Sequence, residues 1–209
     1  MKLLLIRHGH VEGVYPQRFR GRKEVPLTEL GIRQAKATAR RIAAQWRVDA
    51  LYTSPMGRTI ETGKAIGEVC GVEGGLLEGL IDFDYGAWSW RLLSEVEEEA
   101  PALFQRWFSA PQLVQIPSGD TLQELAARSA DALRTMLSRH ADETVVAVAH
   151  DSVNRALLLQ LLDMPFSGYW RIAQDPCCIN EIDIEDGQVH VRRINETGHL
   201  LGLDEDVSS

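Results

Sequence analysis

Two short unbroken apolar runs, Leu3-Leu4-Leu5-Ile6 and Val145-Val146-Ala147-Val148-Ala149, stand far apart in the chain, and each ends in a histidine-bearing loop. Runs of this length rich in branched residues predict strands buried on both faces, at about residues 2 to 6 and over Thr144 to Ala149. After the first strand a loop rich in Gly and Arg extends from Arg7 to Pro26. Thr28 then reads as an N-cap, and Ala35, Ala39, Ile42 and Trp46 form one apolar face of a helix that reaches about Gln45. A short strand, Asp49 to Ser54, stops at Pro55, which suits the first turn of a helix carrying Arg58, Thr62, Ile66 and Val69. Strand, helix, strand, helix predicts a parallel α/β architecture. Leu122, Leu125, Leu133 and Leu137 mark a long helix, and a further helix spans about Val153 to Leu162. Ile179 to Ile184 and Gln188 to Ile194 flank Asp186-Gly187, a dipeptide suited to a two-residue hairpin turn. Between these regular parts, Leu76 to Pro117 alternates without a clear period and holds Trp88, Trp90, Trp107 and several glutamates, so a lid-like helical insertion over about 76–120 is expected within a single domain of residues 1–209.

Composition narrows the class of function. The 209 residues carry 22 Lys+Arg against 30 Asp+Glu, a formal charge of −8, and this acidic balance disfavours a nucleic-acid partner bound through many phosphates. Three cysteines, Cys70 and the adjacent Cys177 and Cys178, match no metal-ligand spacing and point to a reducing, cytoplasmic setting. The apolar start is four residues long before Arg7, too short for a signal peptide or a membrane span.

The chemistry concentrates at strand ends, where open α/β sheets bind ligands. Arg7-His8-Gly9-His10 follows the first strand, His150-Asp151-Ser152 follows the Thr144 strand, and Thr53-Ser54-Pro55 leads into the helix of Arg58. Two arginines beside two histidines describe an anion site suited to phosphate. A neutral imidazole there can attack phosphorus, and a carboxylic acid must protonate the departing alkoxide and later deprotonate water. The segment Leu80 to Trp88 offers such acids beside aromatic residues able to raise a carboxyl pKa.

Leu5-Ile6-Arg7-His8-Gly9 resembles the L-x-R-H-G motif of the histidine phosphatase superfamily, the phosphoglycerate mutase-like family. Gly21 with Pro26-Leu27-Thr28-Glu29-Leu30-Gly31, then Ser54-Pro55-Met56-Gly57-Arg58-Thr59, then Val146 to His150, resemble its later blocks in order. The resemblance implies a three-layer α/β/α fold with a mostly parallel central sheet. It further implies that His8 is phosphorylated, that Arg7, Arg58 and His150 complete the phosphate pocket, and that Asp82 stands where small phosphatases of the family carry a glutamate acid, with Asp84 and Glu78 as alternatives. Gly21, Arg20, Asp151, Ser152 and Trp88 are the expected substrate-binding residues. The chain departs from the family at His10, Val11 and Val14, at Ser89 and Trp90, and at Asp151-Ser152, where two glycines often follow the second histidine; these changes bear on specificity.

The expected activity is therefore metal-independent hydrolysis of a small phosphorylated metabolite through a phosphohistidine, with no cofactor, no nucleic-acid or membrane partner, and a monomeric or homodimeric state. Three readings compete with it. They are mutase-type phosphoryl transfer, a metallohydrolase built on His8-x-His10 and His150-Asp151, and a non-catalytic phosphoester-binding protein.

Overall fold

A computed structural model describes residues 1–203. Six strands form one sheet in the order β3-β2-β4-β1-β5-β6: β1 (Lys2–Arg7), β2 (Ala50–Thr53), β3 (Gly74–Leu76), β4 (Thr144–Ala149), β5 (Ile179–Glu185) and β6 (Gln188–Glu196). The first four pair in parallel, and the β5–β6 hairpin joins β1 antiparallel. Asp186 and Gly187, both at positive φ, turn that hairpin as the dipeptide predicts.

The two apolar runs are continuous because both sheet faces are covered. On one face Leu4, Ile6, Val146 and Val148 meet Ile42 and Ile66 of helices α1 (Glu29–Gln45) and α2 (Gly57–Cys70). On the other, Leu3, Leu5, Val145 and Ala147 meet Leu125, Met136, Val153 and Leu157 of α5 (Leu122–Arg139) and α6 (Asp151–Leu161). Thr28 caps α1 by accepting from the Gly31 amide, and Thr121 with Glu124 forms a capping box on α5. Among the described residues no helix is long and apolar enough to cross a membrane.

Several local expectations shift. Helix α2 begins at Gly57 with Met56 as N-cap, so Pro55 stands before the first turn, and Val69 in the last turn is half exposed rather than on the buried face. The three-residue strand β3 has no counterpart in the predicted elements, because Gly74 and Gly75 carry no apolar alternation. The segment after it contains two short helices, α3 (Leu93–Glu99) and α4 (Pro101–Ser109). Leu80, Phe83, Trp88, Val96, Trp107 and Ile116 from this stretch are buried in the main core with Phe19 and Tyr169, so the segment packs as an integral wall.

Register aligns the strand ends. Arg7 pairs with Ala149 and Thr53 with Val148, and the amides of His8 and Ser54 bond to the carbonyls of Ala149 and Val148 at 3.0 Å each. His8, Ser54 and His150 thus leave the sheet side by side.

The His8 loop also needs α1 close by. A Cβ on Gly31 would lie 2.1 Å from the His10 carbonyl oxygen, and one on Gly9 would lie 2.5 Å from the Gly31 carbonyl oxygen. Gly31→Ala is expected to cost about 1–3 kcal/mol by overpacking against backbone that cannot retreat. Gly74→Ala, whose new methyl meets only Leu51 at 3.4 Å, stays within about 0.5 kcal/mol. Urea unfolding of the two variants checks the contrast.

Candidate active site

At the aligned strand ends the side chains of Arg7, His8, Arg58, Asp82 and His150 are all buried. His8 Nδ1 lies 2.7 Å from the Gly9 carbonyl oxygen, which can only accept, so Nδ1 carries the proton. The other nitrogen, Nε2, accepts from Arg58 Nε at 3.2 Å. Both bonds therefore select the tautomer with a lone pair on Nε2. Burial first, then the Arg58 and Arg7 charges, push His8 well below the ordinary histidine value, so the ring is neutral at pH 7. Thr62 Oγ1 supports the same loop by accepting from the Gly9 amide at 3.1 Å.

Arg58 is fully buried on the first turn of α2. Besides His8 it donates to the carbonyls of Gly21 at 2.7 Å and Lys23 at 2.9 Å, and to Asp82 Oδ2 at 2.9 Å. Gly21, at φ +47°, turns the loop so that this carbonyl faces inward, and a Cβ there would meet the Phe83 oxygen at 2.7 Å. Arg7 donates to the Gln174 carbonyl, while its buried Nε has no acceptor among the described residues.

Burial raises the Asp82 carboxyl pKa and Arg58 draws it down; burial prevails. Its Oδ1 accepts from the Phe83 amide at 2.8 Å and from Ser152 Oγ, and its Oδ2 lies 3.5 Å from His150 Nδ1. His150 is also held well below the ordinary value by burial and by Arg58. Its Nε2 lies 2.9 Å from Ser54 Oγ, and a hydroxyl donating there leaves the imidazole proton on Nδ1, beside Asp82.

A cleft opens beside Asp82, lined by Arg20, Gly21, Tyr85, Phe108, Asp151 and Trp170 together with Gln17, Arg18, Phe19 and Leu93. The structure thus brings together nine of the ten expected site residues. The tenth, Trp88, is packed between Phe19 and Trp107 and lines no part of this cleft: its ring sits in the aromatic core, as the bulk of an indole favours. Of the alternative acids, Glu78 is exposed, and Asp84 accepts from the Gly86 amide at 2.9 Å as part of a turn. His10 Nδ1 lies 2.9 Å from Thr28 Oγ1. Among the described residues no group of three or more His, Cys, Asp or Glu is arranged to hold a metal ion. Thr62, Phe108 and Trp170 carry no sequence signal for the site and Ser54 only as part of the Ser54-to-Thr59 block, whereas Arg155, paired with Asp151 at 3.0 Å, stands at the i+4 spacing that marks helical ion pairs.

Comparison with known proteins identifies the family. A family profile described as histidine phosphatase superfamily (branch 1) matches residues 3–197. The chain belongs to that superfamily. It is 32% identical over 200 residues to phosphoserine phosphatase 1 of Hydrogenobacter thermophilus, covering 96% of this chain and 94% of the relative. A solved phosphoserine phosphatase from Entamoeba histolytica, a mutant in complex with phosphoserine, superposes with a TM-score of 0.85 at 25% identity, covering 96% of this chain and 99% of that one. A probable phosphoglycerate mutase from Yersinia pestis is 27% identical over 186 residues, 89% of this chain and 86% of that one. The fold class expected from the strand pattern holds, and the enzyme is a phosphomonoesterase of this superfamily.

The lowered histidines carry a signature in stability. His8 and His150 stay neutral when folded and take up protons when unfolded, with an unfolded value near 6.5. The protein is therefore most stable above that pH with respect to these groups and loses stability as pH falls below it, by up to about 1.4 kcal/mol per pH unit for each ring. Unfolding free energy measured from pH 7 to pH 5 should fall less steeply in His150→Gln than in the wild type.

Proposed function

We propose that the chain is a single phosphatase domain that hydrolyses a small phosphorylated metabolite through a phosphohistidine formed on His8. The observation that carries this reading is the His8 ring: buried, neutral, with its proton fixed on Nδ1 and its Nε2 lone pair facing the Arg58 guanidinium at 3.2 Å. A nucleophile held in that state needs no deprotonation before it attacks.

In the first step His8 Nε2 bonds to phosphorus as the phosphorus–oxygen bond to the alcohol breaks. Arg7 and Arg58 face the equatorial oxygens, where the transferring group concentrates its charge, and the orphaned Arg7 Nε supplies one donor. Neutral His150 donates from Nδ1. The departing oxygen takes a proton from Asp82. The arriving dianion favours the protonated form of this carboxyl twice over, by adding negative charge beside it and by competing for Arg58. In the second step Asp82, now a carboxylate, accepts a proton from water, the water oxygen bonds to phosphorus, and the phosphorus–nitrogen bond breaks to release phosphate and free His8. Ser152 and the Phe83 amide hold Asp82 Oδ1, leaving Oδ2 on the side of His150 and Arg58.

The similarity to phosphoserine phosphatases supports a small phosphorylated alcohol such as phosphoserine as substrate. The absence of a nucleic-acid partner and a cytoplasmic location remain part of the proposal, on the acidic charge and reduced cysteines.

Phosphate release from p-nitrophenyl phosphate and phosphoserine, with and without EDTA, tests the reading. The wild type is expected to keep its activity in EDTA, and His8→Ala to lose it. Dependence on added metal would favour a metallohydrolase, and silence on both esters would favour a binding protein. Asp82→Asn should slow phosphoserine about 10²–10⁴-fold and the aryl ester far less, because a phenolate leaves without its proton. Equal losses on both esters would remove Asp82 from the acid role.

A further inference from the structure

Asp151 is an odd residue to find here, since a carboxylate next to a phosphate pocket repels the substrate. It occupies the first position of α6, directly after His150, and it lines the cleft with Asp82, Arg20, Tyr85 and Trp170. Its side chain is 22% exposed, so one edge faces the space that the alcohol part of a substrate would fill. Oδ2 accepts from Arg155 Nη1 at 3.0 Å and lies 3.9 Å from Arg20 Nη2. Burial alone would raise the Asp151 carboxyl, but Arg7, Arg155 and Arg20 hold it well below the usual carboxylate range, so it is ionised whenever the enzyme works.

The neighbouring cations are committed in different ways. Arg18 donates to the Trp90 carbonyl at 2.8 Å and stacks on that ring, and Arg22 pairs with Asp120 at 3.0 Å. Arg155 lies over the Tyr169 and Trp170 rings, at 5.6 and 5.1 Å, with its Nε on the Ile172 carbonyl. Arg20 donates from Nη1 to the Gly13 carbonyl at 2.7 Å and turns Nη2 toward Asp151. Asp151 is therefore the group that compensates the two guanidinium charges on the alcohol side of the cleft. On the phosphate side Arg58 is tied to His8, Gly21, Lys23 and Asp82, and Arg7, whose charge also acts on Asp151, keeps its buried Nε open for the transferring group.

We infer that Asp151 is a specificity residue that selects against esters whose alcohol part carries net negative charge, favouring neutral, zwitterionic or cationic alcohols. The inference rests on the phosphatase reading of the same site. With an uncharged residue at this position, Arg20 on the cleft wall and Arg155 behind Asp151 would be left uncompensated, and their field would welcome a carboxylate on the alcohol. With Asp151 in place that attraction is cancelled, and an added carboxylate meets a like charge.

The test is a charge series of small monoesters: phosphoethanolamine with a cationic alcohol, phosphoserine with a zwitterionic one, glycerol 3-phosphate with a neutral one and 3-phosphoglycerate with an anionic one. Ratios of kcat/KM are taken on one preparation of each enzyme, so a partly unfolded variant does not distort them. In the wild type 3-phosphoglycerate should be the poorest of the four. In Asp151→Asn the ratio of 3-phosphoglycerate to glycerol 3-phosphate should rise about ten- to a hundredfold, the size expected for one unit charge at several Å in a partly buried site. Adding Arg155→Met to Asp151→Asn removes the freed cation and should return the ratio part of the way to the wild-type value. A ratio that stays within about twofold of wild type in Asp151→Asn overturns the inference while leaving the phosphatase reading intact. A wild type that hydrolyses none of the four overturns both.

Discussion

The site depends on one fully buried cation. Taking a guanidinium out of water costs several kcal/mol unless its donors are matched, and Arg58 is matched by the Gly21 and Lys23 carbonyls, the Asp82 carboxylate and the His8 ring. Those acceptors come from both ends of the loop after β1, His8 and the 20–23 turn, and from the segment around residue 82, which Arg22 and Phe19 also tie to that turn. Satisfying Arg58 is thus the same event as assembling the site. The charge also has a direct electrostatic consequence, because it contributes to holding both histidines neutral and so keeps His8 Nε2 unprotonated near pH 7. A lysine could not substitute, since a single ammonium cannot bridge acceptors spread around a planar fork.

Around this cation the sheet and the aromatic core act from opposite sides. Parallel register between β1, β4 and β2 fixes His8, His150 and Ser54 relative to one another through backbone bonds alone. Asp82 is placed by side-chain packing instead. Phe83, next in the chain, is fully buried among Tyr85 and Trp107, and the Asp82 carbonyl is gripped by Arg128 at 3.0 Å and by Arg22 at 3.1 Å. Arg22 and Arg128 also share Asp120, so the acidic loop is tied to the start of α5 and to the 20–23 turn at once.

This division explains what could be read from the sequence. Buried strands, helix caps and a two-residue hairpin are encoded within a few residues of where they act, and the apolar runs, Thr28 and Asp186-Gly187 were legible for that reason. The histidines and arginines at strand ends were legible because a parallel sheet puts its strand ends on one edge. The segment from 76 to 120 had no period to follow, since its aromatic residues pack as a three-dimensional cluster rather than along a helix face or strand. Trp88 therefore looked like a cleft residue from its neighbourhood in sequence, although its ring points into the core. The bond from Ser54 to His150 and the support Thr62 gives Gly9 become visible only through register and helix approach, because a hydroxyl is chemically ordinary until a partner faces it.

The shorter acid illustrates how the backbone compensates for a side chain. The resemblance places Asp82 where related phosphatases carry a glutamate, one methylene longer, so either its loop must come nearer or a water must bridge the gap. The segment is closely packed at both ends. A Cβ at Gly79 would lie 2.5 Å from the Arg128 carbonyl oxygen, and one at Gly86 would lie 2.3 Å from that of Pro117, so both ends of the segment run tight against their neighbours with no room for a side chain. Asp82 Oδ2 bonds Arg58 at 2.9 Å and lies 3.5 Å from His150 Nδ1, so the shorter acid touches the same guanidinium that donates to His8. The same tightness buries the carboxyl and raises its pKa, so the packing that holds Asp82 against Arg58 also brings its protonation equilibrium toward neutral pH.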